Sequence, residues 1–200
     1  MKKIHFSSGT NILRGWENTN LPQTDLSKPL AYGSGTVDFI FNEHVMEHLD
    51  EVDGFNFMTE CYRILKPKGV LRISCPTIDG AVEVYLNWHK VSAKFKTRYK
   101  MKDRNAFINH FMFYETSWYK GKRFGLKGEV IQLNNPDLWH KFMYDKETFN
   151  GTLKKIGFKD VQFVEKHQSQ YPDLRKLECR FGGGFACFPQ EVDLTLEATK

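Results

Sequence analysis

The sequence predicts an α/β fold built on a mostly parallel sheet, and three observations carry that reading. Val37-Asp38-Phe39-Ile40-Phe41 and Val70-Leu71-Arg72-Ile73-Ser74-Cys75 are short apolar runs of the kind that form strands buried on both faces. Between them Phe55, Met58, Cys61, Tyr62 and Leu65 recur at three- and four-residue spacing, the period of a helix with one apolar face. Strand, helix and strand in this rhythm imply a right-handed crossover between parallel neighbours.

Ile4-His5-Phe6 reads as a first strand that breaks into a tight turn at Ser7-Ser8-Gly9-Thr10-Asn11. A second short strand is expected over Trp16 to Leu21, ended by Pro22. Glu43 to Leu49 predicts one or two helical turns, and Asp53 is a candidate cap for the helix that follows. Lys66-Pro67-Lys68-Gly69 is expected to stop that helix, and Pro76 to close the next strand. From Asp79 to Trp139 the rhythm fails. Residues 79–139 read as an insertion, helical in the first half and loop-like around Gly121 to Pro136. It resumes with a helix capped by Asp145 and running through Phe149, Leu153 and Ile156 to Gly157. Val161 to Val164 and Glu191 to Ala198 then alternate as strands. With no clear helix between them, and Gly182-Gly183-Gly184 permitting a reversal, they predict an antiparallel pair.

The length of 200 residues suits one domain spanning 1–200, and 40% hydrophobic residues with 17 Phe suffice for a core. No apolar run approaches the ~20 residues that cross a bilayer, so no membrane partner is expected. Met1-Lys2-Lys3 leads into no long apolar stretch and does not read as a secretory signal. Cys61, Cys75, Cys179 and Cys187 form no CxxC pair, which fits a reduced, cytoplasmic chain with buried thiols. The net charge is +5, and seven basic residues against one acid, Asp103, lie between Lys90 and Arg104. Such a run is a solvated helix face or a patch for an anionic substrate. The excess is too modest, and the motifs too few, to favour a nucleic-acid partner.

At this point the sequence resembles a known family. Ile4 to Asn11, Gly15 to Asn20, Asp25-Leu26, Val37 to Leu49 and Tyr62 to Ile73 together look like a small class I S-adenosylmethionine (SAM)-dependent methyltransferase of type 11. His140 to Asp145 and Gly157 to Val161 match the tail of that pattern. The resemblance implies a Rossmann-like three-layer sandwich with an antiparallel C-terminal strand pair and an inserted lid at 79–139. It implies SAM as cofactor, with no metal. The turn Ser7, Ser8, Gly9 and Thr10 would let backbone approach the ligand. Asn20, with Leu21, would meet the ribose where the family normally has a carboxylate. Asp25, placed after a third strand, and Leu26 would meet the adenine. Asn42 and Glu43 lie just past a strand end, where the crevice of an open α/β sheet forms. His44 and His140 are the candidate catalytic bases.

Ser7 and Asn20 depart from the family pattern, and the helix that precedes the first strand in larger members is expected to be missing. The expected acceptor is a small molecule or a glycan, anionic ones included, with Phe107, His110, Phe111, Phe113, Tyr114, Trp118 and Tyr119 lining it or forming the core of the insertion. Three rival readings are open. Degenerate cofactor positions fit a binding or scaffold module. His44-Val45-Met46-Glu47-His48 spells H-x-x-E-H, which on a helix places two imidazoles on one face, as in inverted zinc peptidases. A dinucleotide oxidoreductase should carry G-x-G-x-x-G after the first strand, and Ser7 to Ile12 does not.

Overall fold

Four parallel strands form one side of the main sheet in a computed structural model that describes residues 1–98, 101–112, 122–124, 130–132, 140–178 and 192–200. They are β1 (Lys3–Phe6), β2 (Glu17–Asn18), β3 (Val37–Glu43) and β4 (Leu65–Pro76). Two more strands, β7 (Lys159–Val164) and β8 (Asp193–Thr199), complete a sheet of order β2-β1-β3-β4-β8-β7. β8 is antiparallel to both neighbours, as the alternating C-terminal segments predict. Phe6 pairs with Asn42, Glu43 with Ser74, and Pro76 with Asp193. The ends of β1, β3 and β4 and the start of β8 therefore share one sheet edge.

Helix α1 (Glu51–Ile64) and helix α5 (Lys146–Ile156) pack together on one face. Phe57, Cys61, Phe149 and Leu153 meet Ile4, Ile40, Leu71 and Leu196 there in the main core. α1 is capped by Asp50, whose carboxylate accepts the N–H of Asp53 at 2.8 Å. Asp53, the cap expected from the sequence, instead sits in the first turn, three residues beyond the actual cap. Asp145 does cap α5, accepting from the Thr148 N–H at 2.7 Å. Gly157 ends it at φ +120°, and a Cβ there would lie 3.1 Å from the Tyr62 ring. Space and backbone conformation both call for glycine.

The other face is closed by residues 165–178 and the loop after β1. Leu174 and Leu177 pack on Phe41 and Val70, with Leu13, Trp16 and Tyr171 at the margin. Arg72 projects from β4 into this layer and is fully buried. Its Nε donates to Glu178 at 2.6 Å, and Nη1 donates to Glu197 and to the Gln168 carbonyl. The apolar run around Arg72 hides an ion-pair centre that cross-links β4, β8 and the covering segment.

The 79–139 region holds α2 (Ile78–Leu86), α3 (Ala93–Arg98) and α4 (Arg104–Met112), helical as expected in its first half. Phe107 and Phe111 are buried with Ala81, Val84, Met101 and Val192, so both belong to a second core. Lys90, Lys102 and Arg104 of the basic run are exposed. Where a loop was expected, β5 (Lys122–Phe124) pairs antiparallel with β6 (Val130–Gln132). Phe113, Tyr114, Trp118, Tyr119, Trp139, Cys179, Gly182 to Gly184 and Cys187 lie outside the described residues, as does the side chain of His110. Leu65 already pairs with Val37, so β4 begins before the Lys66–Gly69 turn. Glu43 to Leu49 contains a single 3-10 turn, Met46–His48. No third strand precedes Asp25: residues 21–36 are turns and irregular chain. Among the described residues no helix is long and apolar enough to cross a membrane.

Candidate functional site

The turn after β1 is held by its neighbours at the sheet edge. Ser7 and Gly9 both take positive φ, +51° and +55°. That conformation is strained for Ser7 and natural for Gly9. The Ser8 N–H donates to the Thr19 carbonyl at 3.0 Å. Asn20 then clasps the turn: its Oδ1 accepts the Gly9 N–H at 2.7 Å, and its Nδ2 donates to Ser8 Oγ at 3.1 Å. The expected ribose acceptor is thus already engaged in shaping the turn. Thr10 is exposed at its outer side.

Beside this turn opens a cleft of ≈ 880 Å³ lined by Asn18, Thr19, Asn20, Asp25, Lys28 and Tyr32, among others. Asp25 accepts from the Ser27 hydroxyl at 2.7 Å and pairs with Lys28 at 3.0 Å. These contacts lower its pKa to about 2. Tyr32 donates to Glu17 at 2.7 Å on the opposite wall. Leu21 is not part of the lining and stands 60% exposed, while the Leu26 side chain is buried in the main core. Asn42 is wholly buried next to Phe6, and neither its amide oxygen nor its amide nitrogen has a hydrogen-bond partner. The Thr19 hydroxyl is likewise buried without a partner. Glu43 accepts from Asn11 Nδ2 at 3.3 Å, and the same nitrogen donates to the Leu177 carbonyl at 3.0 Å. Asn11 thereby ties the β1 turn to β3 and to the covering segment. In the sequence Asn11 is only the last residue of the predicted turn, and nothing local marks this bridging role.

Thus Gly9, Asn20 and Asp25 gather at one edge, with Asn42 buried directly behind the turn. Distant sequence positions converge because parallel strands bring their C-terminal ends to the same side.

The two candidate bases differ. His44 follows β3 at φ +52° and is buried. Its Nδ1 lies 3.1 Å from Glu47 Oε1, and its Nε2 lies 3.4 Å from Asp193 Oδ2. Burial alone would favour the neutral ring, but Asp193 and Glu47 outweigh it and push its pKa up. The geometry holds an imidazolium between two carboxylates, which is a poor proton acceptor. His140 is the reverse. Burial lowers its pKa, and its Nδ1 lies 2.7 Å from the Phe111 carbonyl. That carbonyl can only accept, so Nδ1 carries the proton and Nε2 the lone pair.

His44 and His48 do not share a helix face as the H-x-x-E-H reading requires. His44 turns toward Asp193, whereas His48 meets His140, with ring centroids 5.2 Å apart. Donor atoms of Glu47, His48 and His140 lie within 4.8 Å of one another, the geometry of a group able to hold a metal ion.

A second cleft, ≈ 940 Å³, opens beyond β4, β7 and β8, lined by Asp79, Glu83, Lys146, Glu165, Lys166 and Asp193 among others. Lys166 donates to Asp193 at 3.0 Å. Burial would depress the Lys166 pKa, but Asp193 holds it up. None of these residues was singled out from the sequence, since each is an ordinary charged residue until the strands are aligned.

Residues 10–73 match the family model described as a methyltransferase domain, Methyltransf_11. No curated protein matches the chain. Among solved structures, a SAM-dependent methyltransferase from Archaeoglobus fulgidus is 14% identical with a TM-score of 0.51, over 100% of this chain and 86% of that one. A SAM-dependent methyltransferase from Thermotoga maritima, described as a possible histamine N-methyltransferase, is 13% identical with a TM-score of 0.44, over 100% and 82%. A possible exported protein from Bordetella parapertussis is 11% identical with a TM-score of 0.47, over 92% of this chain. The chain spans 44% of that protein's length. At 14% identity and a TM-score of 0.51, the likeness to the Archaeoglobus fulgidus protein shows a shared fold, the Rossmann-like arrangement expected from the sequence.

Proposed function

We propose that this chain, whose residues 10–73 match a methyltransferase-domain family model, transfers a methyl group from SAM to a polar acceptor at the C-terminal edge of its sheet. One observation carries the reading. A backbone turn with two positive-φ residues, a polar cleft and the unpartnered buried amide of Asn42 meet where β1, β2 and β3 end. Buried polar atoms without partners are costly, at ~1–3 kcal/mol each, and the unpartnered Thr19 hydroxyl, which lines this cleft, is one that a polar ligand there would satisfy. The residues therefore fit a nucleoside-type group. Ser7 to Thr10 would face its backbone-contacting part, Asn20 with Thr19 its ribose, and Asp25 its adenine.

SAM, when bound, supplies an electrophilic methyl on a sulfonium. The chain's own contribution is placement of the acceptor, for which well-oriented groups reach effective molarities of roughly 10⁵–10⁸ M. The second cleft, whose walls carry four carboxylates and two lysines, supports a polar small-molecule or glycan-like acceptor. Of the two candidate bases His140 is the proposed one, because burial lowers its pKa whereas carboxylates on two sides hold that of His44 up. Helices α2 and α4, the described part of the insertion that packs together, are the proposed lid elements.

Calorimetric titration with S-adenosylhomocysteine tests the reading, with binding expected. Asn20 favours a second reading. Its acceptor oxygen already holds the Gly9 N–H, and no carboxylate stands in its place, as in a scaffold that has lost its cofactor. Absence of heat at millimolar ligand would establish the scaffold and remove the enzyme.

A further inference from the structure

We infer that Glu47, His48 and His140 form a binding site for a divalent first-row transition cation. The inference does not rest on the methyltransferase reading, because it concerns binding and not turnover.

The first argument is convergence. Glu47 and His48 are neighbours on the 3-10 turn after β3, whereas His140 comes from far along the chain, beyond the insertion. The Lys141 N–H donates to the Glu47 carbonyl at 2.7 Å, which fixes the incoming strand of chain beside the turn. One donor atom from each of the three side chains then lies within 4.8 Å of the others. Donors around a tetrahedral ion with bonds of ~2.0–2.2 Å sit ~3.4 Å apart. Side-chain rotations that draw each donor inward by about 1 Å or less close the set.

The second argument is the state of the carboxylate. Glu47 is buried, with Oε1 turned to His44 Nδ1 at 3.1 Å. Its Oε2 is buried too and has no hydrogen-bond partner. A buried carboxylate oxygen with no donor is destabilising. Beside two imidazoles, a cation is the occupant that satisfies it. His44 then fills the role of an outer partner that orients a ligating carboxylate.

The third argument is the orientation of His140. The Phe111 carbonyl takes the Nδ1 proton at 2.7 Å, which leaves Nε2 as the coordinating nitrogen. Backbone carbonyls play this part for ligating histidines in general. Two imidazoles and one carboxylate suit zinc, manganese, iron or cobalt, whereas calcium and magnesium prefer all-oxygen shells. Three protein ligands leave at least one coordination position for a water or an acceptor oxygen.

The test uses the whole chain, stripped with a chelator and dialysed separately against Zn²⁺, Mn²⁺ and Co²⁺, with retained metal measured by elemental analysis. One cation per chain is expected for at least one metal. With Co²⁺, a visible ligand-field band is expected as well. His48→Ala and His140→Ala should each weaken retention by about tenfold or more, and abolish the band. Glu47→Gln should do the same. Replacing exposed His89 with Ala should change nothing. Far-UV circular dichroism checks each variant, and if Glu47→Gln fails to fold the partly exposed His48 carries the test. Retention no greater than in the His48→Ala/His140→Ala double variant, for all three metals, overturns the inference. A chain that keeps its cation but ignores S-adenosylhomocysteine removes the donor reading and leaves this site standing. The opposite result does the reverse.

Discussion

Asn20→Ala tests whether the clasp on the β1 turn serves ligand binding. The substitution removes the acceptor of the Gly9 N–H and the donor to Ser8 Oγ, bonds of 2.7 and 3.1 Å. Gly9 is exposed, so its N–H regains water; Ser8 is buried, so its hydroxyl is left with one partner fewer. At ~0.5–1.5 kcal/mol net per bond the loss for the two bonds is about 1–3 kcal/mol. If the clasp preorganises the donor cleft, that loss reads out as roughly 5- to 150-fold weaker binding of S-adenosylhomocysteine by calorimetry. Asn20→Asp keeps the acceptor and adds a charge, and charge-assisted bonds are about twice as strong. It should therefore bind at least as tightly as the parent. A urea melt run alongside separates the alternatives. An Asn20→Ala protein that loses stability yet binds as before would show that the clasp is purely structural. Weaker binding by Asn20→Asp than by Asn20→Ala would refute the assignment of this position to the ribose.

Other substitutions probe the frame that holds the site. Arg72→Met leaves Glu178 and Glu197 buried without their cation and should cost about 3–5 kcal/mol in urea unfolding, while the Arg72→Met/Glu178→Gln/Glu197→Gln triple variant should recover much of the loss; an effect below ~1 kcal/mol for Arg72→Met would mean the cluster relaxes into water. A Cβ at Gly54 would lie 2.8 Å from the Tyr144 hydroxyl oxygen. Gly54→Ala should therefore destabilise by about 1–3 kcal/mol despite better helix propensity, and Tyr144→Phe should rescue it. Additive effects in that double-mutant cycle would rule out the clash.

The legibility of the site follows the range of its interactions. Val37 to Phe41, the helix from Glu51 and the Val70 to Cys75 run were readable because burial on both faces and a 3.6-residue period leave local marks. The turn Ser7 to Thr10, Asn20 and Asp25 came from resemblance; in the structure Asn20 and Asp25 line one cleft, and Asn20 holds the turn beside it. The cap on α1 was misplaced by a turn because Asp50 and Asp53 are chemically alike, and only backbone geometry selects Asp50. The β5–β6 pairing was invisible because three-residue strands carry almost no periodicity.

By itself the sequence determined the α/β rhythm, the edge at which strands end, and the residue types available there. Each of those depends on neighbours a few positions apart. Only the tertiary structure decided that His44 lies between the Glu47 and Asp193 carboxylates, which push its pKa up, and that His48 turns away from it to meet His140. It alone showed Arg72 bound to two carboxylates and the Asn42 amide buried without a partner. The reason is physical: protonation, ion pairing and polar satisfaction depend on which distant side chains share a low-dielectric space. That proximity is created by strand order and register, not by spacing along the chain.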